Sequence, residues 1–140
     1  MKTFAFITLL LLSSSCSACK FETVDDAQVR SVVEPRGGYP ITDQQCNLLS
    51  RNGVALWVTG AYGVMEGVSI GWVKITLMDF KTHTASTLSH VGTNLDTRDA
   101  SKNAAEKMLY DSITKALGEY DFDAAVADIN KYRSKIKTGR

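Results

Sequence analysis

The stretch VALWVTGAYGVMEGVSIGWVKITLMDF, residues 54–80, predicts a long β-hairpin. Two runs rich in β-branched and aromatic residues flank Glu66 and Gly67, which suit a two-residue hairpin turn. A shift of one residue would mix apolar and polar side chains on both faces, so the hydrophobic pattern favours one register. On its apolar face that register pairs Leu56 with Leu77, Val58 with Ile75, Gly60 with Val73 and Tyr62 with Gly71.

The two faces of this hairpin predict two different environments. We expect one face to lie in the core, through Val54, Leu56, Val58, Val73, Ile75 and Leu77. The opposite face carries the four side chains that we predict to bind a partner, Trp57, Trp72, Ile70 and Met78. If helices cover only the core face, these side chains form an exposed apolar patch, which is typical of an interface. The alternative is that the amino-terminal segment or the last helix covers them.

The segments around the hairpin predict one further strand on each side and three helices. Residues 28–33 are β-branched enough for a first strand, and residues 84–91 predict a strand after the hairpin, followed by a polar loop at 92–98. Thr42 and Gln45 form a capping box for a helix that ends at Asn52 and Gly53. Apolar residues at helical spacing predict two more helices, from about Asp99 to Leu117 and from Asp121 onward.

The resulting order of elements, βαβββαα, predicts an α+β fold. A helix between the first two strands favours a right-handed parallel pair, and the next two strands add as antiparallel hairpins. We therefore expect a small, mixed, mainly antiparallel four-stranded sheet with helices mainly on one face.

The amino terminus predicts export. One basic residue, an apolar run and small residues ending in cysteine are typical of a secretory signal over residues 1–18, with a lipoprotein-type cleavage before Cys16 or Cys19. Cys16 is the better candidate for acylation by palmitate or a similar chain. The alternative is an ordinary signal cut near Ala18 without lipid. Residues 19–27 then suit a tether, and residues 28–140 form one globular domain.

The cysteines and charges exclude several functional classes. If Cys16 carries lipid, Cys19 and Cys46 can form a disulfide in an oxidising compartment; if Cys19 carries it, Cys46 is a lone thiol. No Cys-x-x-Cys and no zinc-type spacing occurs, so we expect no metal and no cofactor. Without Lys2, 15 basic residues balance 15 acidic ones, which gives no reason to expect nucleic acid as a partner.

Asp79, Thr82, His83 and Ser86 follow the hairpin and allow two interpretations. An Asp, a His and a hydroxyl are the residue types of nucleophilic hydrolysis. The same types close turns, because Asp and Thr accept amide hydrogen bonds and His tolerates positive φ. No Gly-x-Ser-x-Gly elbow accompanies them, so we predict a turn made by Asp79, Thr82 and His83 and no catalytic residue.

Residues 42–117 resemble a group of bacterial envelope domains: the TolB amino-terminal domain, the curli secretion lipoprotein CsgG and the penicillin-binding-protein activator LpoB. The likeness lies in Asn52-Gly53 before VALWVTG, in the strand WVKITLMDFKT at 72–82 and in an Ala-rich helix. In that group the hairpin commonly ends Leu-x-Asp-x-x-Thr-Gly; here Leu77, Asp79 and Thr82 match, and His83 replaces the glycine. The resemblance implies a non-enzymatic lipoprotein that binds envelope partners.

These observations lead to three hypotheses about function. The first is an outer-membrane lipoprotein facing the periplasm, which acts as a protein-interaction or envelope-assembly module and can form oligomers. The second is a periplasmic immunity or inhibitor protein against a cell-wall-degrading toxin. The third is a small hydrolase that uses Asp79, His83 and Ser86.

Overall fold

The computed structural model describes residues 19–138. The strands are β1 (Thr23–Asp25), β2 (Ala55–Met65), β3 (Val68–Asp79) and β4 (Thr84–Asp96), and the helices are α1 (Ala27–Val33), α2 (Asp43–Asn52), α3 (Lys102–Glu119) and α4 (Phe122–Thr138). A short 3-10 turn, Glu34–Arg36, follows α1. The predicted signal and Cys16 lie outside the described residues.

The sheet confirms the predicted fold class. Its strand order is β1-β2-β3-β4, with β1 parallel to β2 and the other neighbours antiparallel. The predicted register of β2 and β3 is also confirmed, from Leu56 opposite Leu77 to Met65 opposite Val68. Glu66 and Gly67 both have positive φ, 47° and 82°, as a tight primed turn requires.

The prediction of a strand over residues 28–33 is wrong, because these residues form most of α1. Val29, Val32 and Val33 are buried, and their spacing places them on one helical face. Asp26 begins the helix: its Oδ1 accepts from the Val29 amide at 2.9 Å, and its Oδ2 accepts from the Gly60 amide at 3.0 Å. Capping and burial together outweigh the β propensity of valine.

The parallel strand lies earlier, inside the segment that we expected to be a tether. β1 pairs Val24 with Trp57, and the Leu56 amide donates to the Glu22 carbonyl at 3.0 Å. Three residues are enough because β2 offers an unpaired edge. The chain therefore joins the fold well before residue 28.

Helices α1, α3 and α4 pack on the face of the sheet that carries Leu56, Val58 and Ile75, and α2 packs against α4. These side chains are fully buried, as is every other predicted core residue except Val54, which is almost fully buried. Glycines allow α3 to approach the sheet closely: a Cβ on Gly71 would lie 2.1 Å from the Leu109 nitrogen. The opposite face has no helix on it, and we call it the helix-free face.

The last strand is longer than predicted. Residues 92–96, assigned to a polar loop, continue β4 to Asp96. The glycine at residue 92 indicated a loop, but in the structure it lies within the strand. Its lack of a side chain lets α3 pack closely on β4, because a Cβ there would lie 2.8 Å from the Ser112 carbonyl oxygen. The ladder with β3 contains a bulge between Thr76 and Met78, opposite residues 86–88.

Two local features hold α2 in place. The predicted capping box is present, with the Gln45 amide donating to Thr42 Oγ1 at 3.2 Å and the Thr42 amide donating to Gln45 Oε1 at 2.8 Å. A disulfide joins Cys46 to Cys19, whose Cα atoms are 6.1 Å apart. It connects the first described residue to the first half of α2.

Candidate functional site

The helix-free face carries the four residues that the sequence predicts to bind a partner. Trp72 is 42% exposed, whereas Trp57, Ile70 and Met78 are half-buried. They share a face because the register sets Trp57 opposite Thr76, away from the core pairs. Within residues 19–138, neither alternative cover lies on this face. Strand β1 lies beside β2 in the plane of the sheet, and α4 packs against the other face, where Val126 and Ile129 join the core.

The apolar surface on this face extends to β4, which the sequence interpretation missed. The register places Thr93 beside Trp72, Val91 beside Lys74 and Leu95 beside Ile70. Val91 is 60% exposed and Leu95 is 59% exposed. The alternation of Val91, Thr93 and Leu95 is the signal for this shared face, and it extends beyond the predicted end of the strand at residue 91.

The centre of the helix-free face also has polar groups. A shallow hollow of about 50 Å³ is lined by Trp57, Thr59, Lys74 and Thr76. The Thr76 hydroxyl donates to the Leu88 carbonyl at 2.8 Å, across the bulge. Lys74 is exposed, so one cation stands among the apolar side chains of β3. Aromatic residues and methionine are enriched in protein–protein interfaces, whereas lysine is more typical of the polar rim.

Asp79, Thr82 and His83 lie in the turn between β3 and β4. Asp79 Oδ1 accepts from the Lys81 amide at 3.0 Å, and Asp79 Oδ2 accepts from the Thr82 hydroxyl at 2.9 Å. His83 is exposed and has a φ of 51°, the left-handed conformation for which glycine is usual. Arg133 on α4 donates from Nε to Asp79 Oδ2 at 2.7 Å.

Arg133 changes the ionisation of the buried Asp79 carboxyl. The guanidinium lowers the pKa of Asp79 from 3.8 to about 2, with further hydrogen bonds from Thr82 and Lys81 acting in the same direction. Burial opposes this shift but is outweighed. Asp79 is therefore a fixed anion at neutral pH, bonded to the turn and to α4.

Ser86 belongs to a separate cluster at the bulge. Its hydroxyl donates to Asp128 Oδ2 at 3.0 Å, and the same oxygen accepts from the Thr87 amide at 2.7 Å. These bonds, with the Thr87 amide contributing most, lower the pKa of Asp128. No hydrogen bond among the described residues joins Asp79, His83 and Ser86, so the structure does not bring them together as a nucleophile, a base and an orienting group.

Away from the sheet, a cleft of about 590 Å³ lies between α2 and the start of α4. Polar side chains dominate its lining, among them Gln44, Asn47, Arg51 and Asp123. No residue of this lining belongs to the predicted sites. Over residues 19–138, no group of three or more His, Cys, Asp or Glu side chains could hold a metal ion. None of the described helices is long and apolar enough to cross a membrane.

Comparisons with known proteins find only remote likenesses. The chain matches no protein-family model and no curated protein. Among seven matching solved chains, a proposed lipoprotein from Caulobacter crescentus is 14% identical, with a TM-score of 0.31, over 85% of this chain and 90% of that one. A lipoprotein from Neisseria meningitidis is 15% identical, with a TM-score of 0.30, over 62% of this chain and 61% of its own. Scores this low do not establish a shared function.

Proposed function

We propose that this chain is an outer-membrane lipoprotein, facing the periplasm, that binds envelope proteins through its helix-free face. The observation that carries the proposal is the exposure of Trp72, Val91 and Leu95 together on a face that no helix covers. Monomeric soluble domains seldom leave such side chains adjacent and unpartnered, and tryptophan is the residue most enriched at the energetic centres of interfaces.

The cysteines support Cys16 as the anchor. The sulfur atom of Cys19 is bonded to the sulfur atom of Cys46 in a disulfide. A sulfur atom in a disulfide cannot also form a thioether to lipid. Only Ser17 and Ala18 separate Cys16 from Cys19. The three Cα–Cα steps from Cys16 to Cys19 span at most about 10 Å. A lipid on Cys16 would therefore hold the domain close to the membrane surface. Two or more acyl chains on Cys16 make such attachment stable.

The proposed role is binding rather than catalysis. Asp79 is engaged by Arg133 and by its own turn, and Ser86 is engaged by Asp128. His83 projects from the turn without a hydrogen bond to either of them. A hydrolase would need these groups aligned around one reacting atom.

Capture of partners tests the role of the face. The mature protein, crosslinked in its own cells and purified from envelope extracts, is compared with Trp72→Ala and Trp57→Ala. We expect Trp72→Ala to lose its main partner and Trp57→Ala to weaken capture less, because Trp57 is half-buried. Ile136→Ala is the matched control, since Ile136 is an exposed apolar side chain on α4, 55% accessible, on the helix layer.

The result of that capture also separates the hypotheses. Unchanged partners in both tryptophan variants would disprove binding through the helix-free face. Capture of a cell-wall-degrading enzyme whose activity falls on binding would favour the inhibitor interpretation. Loss of a hydrolytic activity in His83→Ala would contradict the turn interpretation of Asp79, Thr82 and His83.

The anchor has its own test. The mass of the mature amino terminus should correspond to a chain that begins at an acylated Cys16. Cys16→Ser should release the protein from membranes, whereas Cys46→Ser should leave it attached, because Cys46 serves only the disulfide. A mature chain that starts unmodified at Lys20 would refute the lipid anchor.

A further inference from the structure

The sheet has one long free edge, and β4 forms it. β4 is the last strand in the order β1-β2-β3-β4 and runs for 13 residues, whereas the other edge strand, β1, has three. In any edge strand, alternate backbone N–H and C=O groups point away from the sheet. Over residues 89–95, no backbone group has a hydrogen bond in the described structure other than through the β3 ladder.

The first half of this edge is protected. At the bulge, the Thr87 amide donates to Asp128 Oδ2 at 2.7 Å, and the Thr87 hydroxyl donates to the same oxygen at 2.9 Å. Asp128 lies on α4, so the helix layer occupies the edge at Thr87. The protection ends at Leu88.

The second half has few of the usual devices that prevent strand pairing, and its one acidic residue, Asp96, is the last residue of the strand. Natural edge strands carry lysine, proline, inward charges or bulges. Residues 89–95, SHVGTNL, contain no proline, lysine, arginine or acidic residue. They form a regular ladder with β3, without a bulge. A strand of this kind is a template for a further strand.

We propose that residues 90–96 pair antiparallel with the same residues of a second copy of this chain, about a two-fold axis at Thr93. The two four-stranded sheets then form one continuous sheet. On the helix-free face this register sets Thr93 opposite Thr93 of the second copy and sets Val91 opposite Leu95, twice by symmetry. Threonine pairs and aliphatic pairs are favourable cross-strand neighbours.

The helix-side face is also self-complementary in this register. His90 comes opposite Asp96, and Gly92 comes opposite Asn94, so no two like charges face each other. Two carboxylates lie near this face, and each has a basic side chain beside it in its own chain. Glu119 Oε2 lies 3.0 Å from His90 Nε2, and Asp96 Oδ1 lies 3.7 Å from Arg98 Nε. The imidazole of His90 and the carboxylate of Asp96 are polar partners of compatible size, and the two-fold axis brings them together twice.

Other registers are less complementary. An axis at Gly92 would set Val91 opposite Thr93 and Leu95 opposite Ser89, which leaves both aliphatic side chains facing hydroxyls. A register in which the second β4 strand is shifted by one residue would place helix-side residues opposite residues of the helix-free face. The axis at Thr93 pairs Val91 with Leu95, the two most exposed aliphatic side chains of β4.

This inference goes beyond the proposed function, since it names a second interaction and does not depend on the lipid anchor. The two are connected by position: Thr93 lies beside Trp72 in the β3–β4 register. Pairing at β4 would therefore extend the helix-free face across the axis and place two Trp72 side chains on one surface.

Cysteine crosslinking in the full chain tests the register. Thr93→Cys places two thiols across the axis, where Cα atoms about 4.5–5.5 Å apart permit a disulfide. Ser89→Cys is the matched control on the same strand and face. In the proposed register residue 89 of the second copy lies opposite residue 97 of the first, so the two introduced thiols are about 27 Å apart. With copper phenanthroline as oxidant, we expect Thr93→Cys to shift to the mass of a dimer and Ser89→Cys to remain monomeric.

Sedimentation of the full chain provides the second measurement. The wild type should sediment as a dimer, and Leu95→Lys should be monomeric, because lysines would face Val91 across the axis. Ile136→Lys, on α4, should stay dimeric. A monomeric wild type at about 100 µM, or equal crosslinking of Ser89→Cys and Thr93→Cys, would overturn the proposal. Partner capture through Trp72 that persists in such a monomer would leave the proposed function intact.

Discussion

Arg133 Nε donates a 2.7 Å hydrogen bond to Asp79 Oδ2 and thereby joins the last helix to the end of β3. The same guanidinium donates to the carbonyl oxygens of Asn52 at 2.9 Å and Gly53 at 3.3 Å. One side chain thus connects three separate elements: α4, the end of β3 and the end of α2. Asp79 is almost fully buried in this arrangement.

Replacement of Arg133 should be among the most destabilising changes to a charged residue. Arg133→Met keeps the apolar stem but leaves the buried Asp79 carboxylate without its cation. Breaking a buried ion pair in this way costs about 3–5 kcal/mol. We expect a loss of this size in the free energy of unfolding, measured by urea denaturation.

Lys107→Met is the control for that experiment. Lys107 pairs with Asp111 one turn away on the surface of α3, and both side chains are well exposed. Exposed pairs of this kind contribute little, so the variant should unfold like the wild type. If both variants lost the same stability, burial of Asp79 would not explain the effect.

Asp79 also predicts a dependence of stability on pH. Its pKa is about 2 in the folded protein instead of 3.8, chiefly because of Arg133. A lowered carboxyl pKa stabilises the fold above the unfolded pKa, and this contribution is lost as pH falls through the folded pKa. The free energy of unfolding should therefore fall by about 2 kcal/mol between about pH 4 and pH 2 through this group. Asp79→Asn should show a shallower fall, and an unchanged slope would refute the assignment.

Gly71 should not tolerate alanine. A Cβ there would lie 2.1 Å from the Leu109 nitrogen and 2.4 Å from the Met108 carbonyl carbon, so backbone atoms of α3 would have to move. We expect Gly71→Ala to cost about 3 kcal/mol or more in thermal or urea unfolding. Gly63→Ala, on the neighbouring strand, should be neutral or slightly stabilising, because an added Cβ would have no neighbouring atom within 4 Å. Equal losses in the two variants would contradict close packing as the cause.

His83 should gain stability when glycine replaces it. Its φ of 51° places the backbone of His83 in the left-handed region. There a Cβ lies too close to the following carbonyl oxygen, which costs energy that glycine avoids. We expect His83→Gly to raise the free energy of unfolding by about 0.5–1 kcal/mol. His83→Ala keeps the Cβ and should bring no gain. A destabilised His83→Gly would indicate that the imidazole makes a stabilising contact.

Local patterns were enough to predict the centre of the fold. The register of β2 and β3 followed from alternating side chains and a turn dipeptide, and both depend on neighbours close in sequence. The start of α2 followed from Thr42 and Gln45, which are three residues apart. The position of Trp72 on the face opposite the core followed from the same alternation. These features need no knowledge of distant segments.

Contacts between distant segments decided the rest. Residues 28–33 became a helix because Asp26 caps it and joins Gly60, which lies 34 residues away. β4 continued beyond Gly92 because α3 packs on that glycine. The exposure of Leu95, and hence the full extent of the candidate site, could not be predicted before the helices were placed. The sequence by itself determined the hairpin, its register and the class of fold, since these depend on side-chain alternation and turn chemistry. Only the tertiary structure decided which strand edge and which apolar side chains stay accessible, because accessibility depends on where every other element packs.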